Sequence, residues 1–208
     1  PGVLWRVWRA LPALPPPTPL PRQWRIPPAF AGGGIRPSGC APPTIARFLF
    51  DAEPPRVVSL IERDQRFGTD KQASVIADFG NGRQLSFICS TQLTGHQRVT
   101  VLGTKAKLEV IIPFNALPDE PSAITIDMSS NLDGSLARRE ILPACDQYTE
   151  QAEAFALAVL GEQPLPWGLD TPIASMKVLD AIVSRAQSDG LVQVLQPDPI
   201  SRPPQSHD

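Results

Sequence analysis

The chain has 208 residues and a formal net charge of −2, so its length allows one or two domains and its charge does not favour binding to nucleic acid or an anionic membrane. Two histidines and three cysteines without C-x-x-C spacing disfavour a metal site and predict reduced thiols in a cytoplasmic protein. No apolar run is long enough to predict a membrane-spanning helix.

The first 50 residues differ in composition from the rest of the chain. They contain 12 of the 25 prolines and three of the four tryptophans, but no Asp, Glu or Lys. Proline lacks a backbone donor and restricts its neighbours, so residues 1–36 are predicted to be a Pro/Arg-rich irregular segment, polyproline-like or disordered. Pro16–Pro19 is a weak match to a PxxP ligand for an SH3-type groove. The glycines of 31–34 are predicted to be a flexible hinge.

Regular alternation of apolar and polar residues begins after this segment. A short helix is predicted over 43–50, a strand over 56–62, and a series of strands joined by turns over Asp70–Ile112. One side of the first two strands in that series is apolar, formed by Ala73, Val75, Ala77, Phe79, Leu85, Phe87, Cys89 and Leu93. The other side carries Ser, Thr and Gln with a few Ile, which predicts an open face that suits water or a second sheet.

Two helices are predicted near the end of the chain, after further strands over 123–129 and 135–142. The first helix follows Asp146 as N-cap and has an apolar stripe that includes Tyr148, Phe155 and Val159. The second helix begins at Thr171 and is also amphipathic.

We expect both helices to cover the apolar sheet face. Residues 37–195, ending in a short strand over 191–195, would then form one α+β domain, a largely antiparallel open β-sheet with helices covering one face. A polar tail is predicted over 196–208.

An ordered set of short motifs carries a family resemblance. The motifs are Arg47-Phe48-Leu49-Phe50-Asp51-Ala52-Glu53-Pro54, Glu62-Arg63-Asp64, Phe67-Gly68-Thr69-Asp70, Asp78-Phe79 with Asn81-Gly82, Gly103-Thr104, Asp146-Gln147-Tyr148 with Phe155, and Leu179-Asp180-Ala181-Ile182. Over residues 30–195 the chain resembles the C-terminal half of Gfo/Idh/MocA oxidoreductases, especially the branch of glucose–fructose oxidoreductase, xylose dehydrogenase and dimeric dihydrodiol dehydrogenase.

The resemblance implies a two-domain enzyme. Its N-terminal Rossmann domain would hold NAD(P) and carry the catalytic lysine of an E-K-P motif, and its C-terminal sheet domain would shape a sugar pocket and pair its open face with another subunit. In this branch the pattern near residues 37–41 is Asp-Ile-Gly-Cys-Tyr. Gly39 and Cys40 match it, but Pro37 stands at the acidic position and Ala41 at the proton-donor position, and neither side chain can exchange a proton.

The sequence therefore predicts no catalytic residue, no metal site and no cofactor bound by this chain alone, with NAD(P) implied only for the intact enzyme. Cys40, Arg47 and Tyr148 are candidates for the substrate pocket. Two explanations of residues 1–45 stay open: an out-of-frame or recombined translation, which the composition favours, or an evolved linker.

Three functions are considered. The first is the substrate-binding and oligomerisation domain of an NAD(P)-dependent sugar or diol oxidoreductase, inactive by itself and dimeric through the open sheet face. The second is a non-catalytic module for sheet-mediated self-association or protein interaction. The third and weakest is a Pro-rich adaptor acting through residues 11–21.

Overall fold

The computed structural model describes the backbone of residues 3–10 and residues 33–129, 133–165 and 167–187. Its elements, in chain order, are β1 (Val3–Ala10), α1 (Ile35–Ser38), α2 (Ala41–Phe50), β2 (Arg56–Arg63), β3 (Asp70–Asp78), β4 (Arg83–Ser90), β5 (His96–Leu102), β6 (Lys107–Ile111), β7 (Ser122–Asp127), β8 (Ala137–Leu142), α3 (Gln147–Val159) and α4 (Asp170–Gln187). The predicted strand over 191–195, the tail over 196–208 and the adaptor segment over 11–21 lie outside the described residues.

One eight-stranded sheet organises the fold, in the order β2-β3-β4-β1-β5-β6-β7-β8. Every neighbouring pair is antiparallel except β1 and β4, which are parallel. The β3–β4 hairpin turns through Asn81, whose φ of 54° lies in the left-handed region that Asn tolerates. This confirms the predicted α+β class with a largely antiparallel sheet.

The first strand corrects the sequence analysis. Residues 1–36 were expected to be irregular, yet Val3–Ala10 forms a strand in the centre of the sheet, with Val7 opposite both Phe87 and Val99. The segment contains no proline and is rich in Val and Trp, which favour strands. The prolines that follow this segment dominate the composition of residues 1–36 and conceal its strand pattern. Because β4 and β5 are not neighbours, β1 is the strand that joins the two halves of the sheet.

The core lies between one sheet face and two helices. Ala73, Val75 and Ala77 of β3 are at most 2% exposed, and Leu85, Phe87 and Cys89 of β4 are at most 1% exposed, as the alternation predicted. Helix α2 adds Ala46 and Phe50, and α4 adds Val178, Leu179 and Ile182. Each large aliphatic or aromatic side chain buried in this way contributes about 1.5–3 kcal/mol to folding. Leu93, expected on the same face, lies beyond the end of β4 and is 43% exposed.

Helix α3 does not cover the sheet with its apolar stripe, and this part of the prediction is wrong. None of its residues is buried. Its half-buried residues are Ala154, Leu157 and Ala158, whereas Tyr148, Phe155 and Val159 are 66%, 61% and 70% exposed. Helix α4 alone packs its apolar side on the edge strand β2, where Ser59 Oγ also donates to the carbonyl of Ile182 at 2.7 Å.

The opposite sheet face is open, as predicted. Val58, Leu60 and Ile76 lie on it and are 64%, 58% and 51% exposed. They alternate along β2 and β3 with residues directed to the core, such as Val75 and Ala77. No helix in the described part of the chain is long and apolar enough to cross a membrane.

Candidate functional site

The candidate site is built on a short strap, residues 33–41, which crosses the carboxyl end of β4 and leads into α2. Gly33, Gly34 and Ile35 are buried, with Ile35 fully inaccessible. The turn at Gly39 has no room for a side chain. The Gly39 amide donates to the carbonyl of Ile35 at 2.6 Å, and a Cβ at Gly39 would lie at the same distance from that oxygen. The strap is therefore a packed part of the domain.

Asp70, the first residue of β3, fixes the start of the strap. Its Oδ2 accepts hydrogen bonds from the amides of Gly34 at 2.5 Å and Ile35 at 2.6 Å, and its backbone carbonyl accepts one more from Gly34 at 2.8 Å. Gly33 has φ of 128°, and a Cβ there would overlap the Asp70 carboxylate. The described glycines 33 and 34 are thus not the flexible hinge that sequence analysis predicted. Both positions are glycine because the Asp70 carboxylate lies directly against them and leaves little room for a side chain.

The strap places the two positions at which the family resemblance implied an acid and a proton donor. Residue 37, a proline, lies in α1, and residue 41, an alanine, is the first residue of α2. Ala41 is half-buried. Its methyl group can neither donate nor accept a proton. The fold therefore contains the expected proton-donor position, but the residue there cannot transfer a proton.

Cys40 and Arg47 are joined by one hydrogen-bond network. The Cys40 carbonyl accepts from Thr44 Oγ1 at 2.9 Å, and Thr44 Oγ1 lies 3.0 Å from Ser175 Oγ. Arg47 Nη1 donates to Ser175 Oγ at 2.8 Å and to the carbonyl of Thr171 at 2.9 Å. Three polar side chains and two backbone carbonyls therefore tie α2 to the start of α4.

The guanidinium of Arg47 is occupied by this packing. Its Nε donates to both oxygens of Glu53 at 2.8 Å, its Nη2 lies 2.6 Å from Glu53 Oε1, and only 11% of the side chain is exposed. A guanidinium that already donates to one carboxylate and two further acceptors fixes the two helices relative to each other. Few of its N–H groups are left to bind a substrate. The structure thus gives Arg47 a positioning role between α2 and α4.

Tyr148 lies on a different element, in the first turn of α3. The N-cap Asp146 accepts from the Tyr148 amide at 3.0 Å and from Thr149 Oγ1 at 2.8 Å, which confirms the predicted cap. The phenol ring is 66% exposed. The structure accordingly does not enclose Tyr148 in a pocket with Cys40 and Arg47.

The carboxylates near the start of β3 have structural partners. Glu62 forms an ion pair with Lys71 at 3.1 Å. Asp64 accepts from the amides of Phe67 and Arg66 and from Gln92 Nε2, and these hydrogen bonds lower the pKa of the Asp64 carboxyl. The pKa of Asp78 is lowered by the amide of Gly80 and by Arg56. In the described ranges no three His, Cys, Asp or Glu residues form a group that could hold a metal ion.

A groove of about 1000 Å³ runs along β2 and α4, lined by Glu53, Val58, Leu60 and Lys177 among others. Cys40, Arg47 and Tyr148 do not line it. It lies at the sheet edge and opens onto the exposed apolar face. We therefore describe it as part of that face.

The strap does not fit a dinucleotide pyrophosphate. Phosphate loops present free backbone amides, whereas the amides of Gly34 and Ile35 are already bonded to Asp70. The Asp70 carboxylate would also repel a phosphate placed there.

Comparison with known proteins decides the family. The model of the GFO/IDH/MocA C-terminal domain matches residues 6–109. The chain belongs to the GFO/IDH/MocA family. It is 36% identical over 159 residues to the uncharacterized oxidoreductase ORF334 of Rhizobium meliloti, covering 76% of this chain and 48% of that one. It is 29% identical over 171 residues to D-xylose 1-dehydrogenase (NADP(+)) 2 of Haloferax volcanii, covering 82% and 50%.

Solved structures of other oxidoreductases have the same fold over this domain. The 3-ketoreductase KijD10 of Actinomadura kijaniata, in complex with NADP and TDP-benzene, superposes with a TM-score of 0.72 at 20% identity, covering 88% of this chain and 54% of that one. The aldose–aldose oxidoreductase of Caulobacter crescentus, complexed with glycerol, gives 0.72 at 20% identity, covering 89% and 53%. The chain thus spans about half the length of the relatives that it matches.

The family match also bears on the Pro-rich segment. It spans residues 6–109, a range that includes part of this segment, the strap and α2. Sequence analysis named Asp70 only as part of a motif and missed its contact with the glycines of the strap. It also missed β1, whose signal was its proline-free run of Val, Leu and Trp.

Proposed function

We propose that this domain supplies the substrate-side wall and the oligomerisation surface of an NAD(P)-dependent oxidoreductase that acts on the CH–OH groups of a sugar or diol. The proposal rests on the family and on relatives named as a xylose dehydrogenase, a 3-ketoreductase and an aldose–aldose oxidoreductase. By itself the domain performs no hydride transfer in this proposal, because Pro37 and Ala41 stand at the positions expected to handle protons. Three free cysteines support a reducing, cytoplasmic compartment.

The open sheet face carries the oligomerisation part of the proposal. Val58, Leu60 and Ile76 are more than half exposed on adjacent strands, and Ser86 and Ile88 of β4 continue the surface. An exposed apolar centre with polar side chains beside it is typical of a surface that pairs with a second sheet. A homodimer through this face would bury these side chains on both copies.

Sedimentation of the full chain tests this role. We expect a dimer that Ile76→Glu dissociates, because two carboxylates would be buried without partners in a symmetric interface. Val159→Glu on α3 is the matched control and should leave the dimer intact. A monomeric parent, or a dimer unaffected by Ile76→Glu, would contradict the proposal.

A second candidate is a non-catalytic module for self-association. The observation that favours it is the pair of inert residues at positions 37 and 41 on an otherwise intact scaffold. Restoring the family residues, Pro37→Asp with Ala41→Tyr, in a fusion to the amino-terminal half of the Haloferax relative separates the two. NADP-dependent oxidation of xylose that appears only with the restored pair supports an oxidoreductase scaffold, and continued inactivity supports the module.

A further inference from the structure

The outer edge of β2 is open, although helix α4 lies over this strand. Among the described strands β2 pairs only with β3. Its core-side residues Val57, Ser59 and Ile61 are only half-buried, whereas Val75 and Ala77 of β3 are at most 2% exposed. An apolar edge strand of eight residues offers backbone groups with which a further strand can pair. The core is therefore incomplete along this edge.

The groove described above continues around this edge. It is lined on the core side of the sheet by residues such as Ser59 and on the open side by residues such as Val58. Ala174 and Ala181 of α4 line it as well, and they lie on one side of the helix because seven residues make about two turns. Their small side chains leave space beneath the helix beside the edge. The groove therefore has the shape that one more strand requires, with room for side chains on both faces.

Helix α4 runs in the same direction as β2. Arg47 joins the start of the helix to Glu53, which precedes β2, and Ser59 of β2 bonds to the carbonyl of Ile182 further along the helix. Gln187 ends the helix about 7.5 Å further along its axis. The chain therefore leaves α4 beside the end of β2, where a turn would return it along the open edge.

The sequence beyond α4 supplies a suitable occupant. It continues to residue 208, outside the described residues. Residues 188–190, Ser-Asp-Gly, are typical of a turn, and residues 191–195, Leu-Val-Gln-Val-Leu, are typical of a strand. We propose that residues 191–195 dock in the groove and pair with β2 in the antiparallel direction. At about 3.3 Å per residue this segment spans about 16 Å, which is shorter than β2, and Pro197 follows it as a residue that cannot donate within a sheet.

Docking of this segment completes the core and protects the edge. Its side chains cover Val57 and Ile61 beneath α4, and its backbone pairs with groups that otherwise attract strands of other chains. Self-association is then confined to the open sheet face. This consequence rests on the dimer proposed above, whereas the docking itself does not.

Hydrogen exchange of the β2 amides, measured by mass spectrometry, tests the proposal. The full chain is compared with a chain that ends at Gly190 and with a matched control that ends at Gln196, which keeps the docking segment. We expect the β2 amides to exchange about tenfold or more faster in the chain that ends at Gly190, and to change less than about twofold in the control. Strand β4, which lies between β3 and β1, should exchange at the same rate in all three chains.

A substitution in the full chain keeps the test decisive if removal of the segment also exposes β4. Val194→Pro removes a backbone donor within the segment and should speed exchange in β2 as the deletion does, whereas Ile200→Pro, beyond the segment, should not. Equal exchange of β2 in the full chain and in the chain that ends at Gly190, or equal effects of the two proline variants, would overturn the proposal. Protection of β2 that grows with chain concentration would also overturn it, because a second copy would then cover the edge.

Discussion

At the scale of single residues, the contact between Asp70 and the glycines of the strap decides the local structure. One carboxylate oxygen satisfies two amides at the start of α1, which has no acidic residue or side-chain cap of its own. The sequence shows three adjacent glycines and a distant Asp, and nothing in their spacing connects them. Only the packing of the strap against β3 does so, which explains why sequence analysis read the glycines as a hinge.

Substitutions at Gly33 and Gly80 separate steric overlap from backbone strain. Gly33→Ala would combine φ of 128° with overlap on Asp70, whereas a Cβ at Gly80, with φ of 74°, meets nothing within 4 Å. We expect Gly80→Ala to cost about 1–2 kcal/mol and Gly33→Ala clearly more. Asp70→Ala should cost about 1–3 kcal/mol by leaving amides without acceptors. Urea denaturation checks the order, and equal losses for the two glycine variants would contradict the contact.

Four aspartates, of which three are half-buried and Asp146 is exposed, predict acid sensitivity. Hydrogen bonds lower the pKa of Asp64, Asp78, Asp127 and Asp146 below the ordinary value of 3.8. A carboxyl with a lowered pKa in the folded state stabilises that state above the unfolded-state pKa, and this contribution is lost as the pH falls through the folded-state pKa. We expect the urea midpoint to drop below about pH 4, and Asp64→Asn to drop less than the parent. A midpoint independent of pH between 7 and 3 would contradict this.

At the scale of elements, β1 is the feature that the sequence predicted least, and it pairs with a strand on each side. The strands and helices of residues 41–160 could be predicted because their alternation and caps are local, as with Asp146 at α3. The place of β1 could not, because a parallel partner at β4 and an antiparallel one at β5 are fixed by contacts distant in sequence. The direction of the α3 stripe was equally out of reach, since amphipathicity shows which side is apolar but not what covers it.

Proline substitution tests the central position of β1. Val7 pairs with strands on both sides, so Val7→Pro should abolish the cooperative unfolding transition. Glu140→Pro in β8, which among the described strands pairs only with β7, should be milder and keep the transition. Circular dichroism on heating distinguishes the two. If Val7→Pro melts like the parent, β1 does not join the halves of the sheet.

At the scale of the whole molecule, the domain has a well-packed core and strap but lacks the proton-transferring residues that the family resemblance implied. The core, the Asp70 contact and the Arg47 network hold the strap in place. The positions on that strap from which the resemblance implied proton chemistry carry Pro37 and Ala41. We therefore propose that the domain serves assembly, through its open sheet face.

Titration of the full chain with NADPH tests the central claim directly. Binding in an enclosed site would shift the nicotinamide emission to shorter wavelength and saturate with protein concentration. We predict no shift and no saturation, because the amides of the glycine strap are bonded to Asp70 and a carboxylate stands where phosphate would lie. A saturable blue shift would show that the domain binds the cofactor by itself and would contradict its role as a scaffold that depends on a partner.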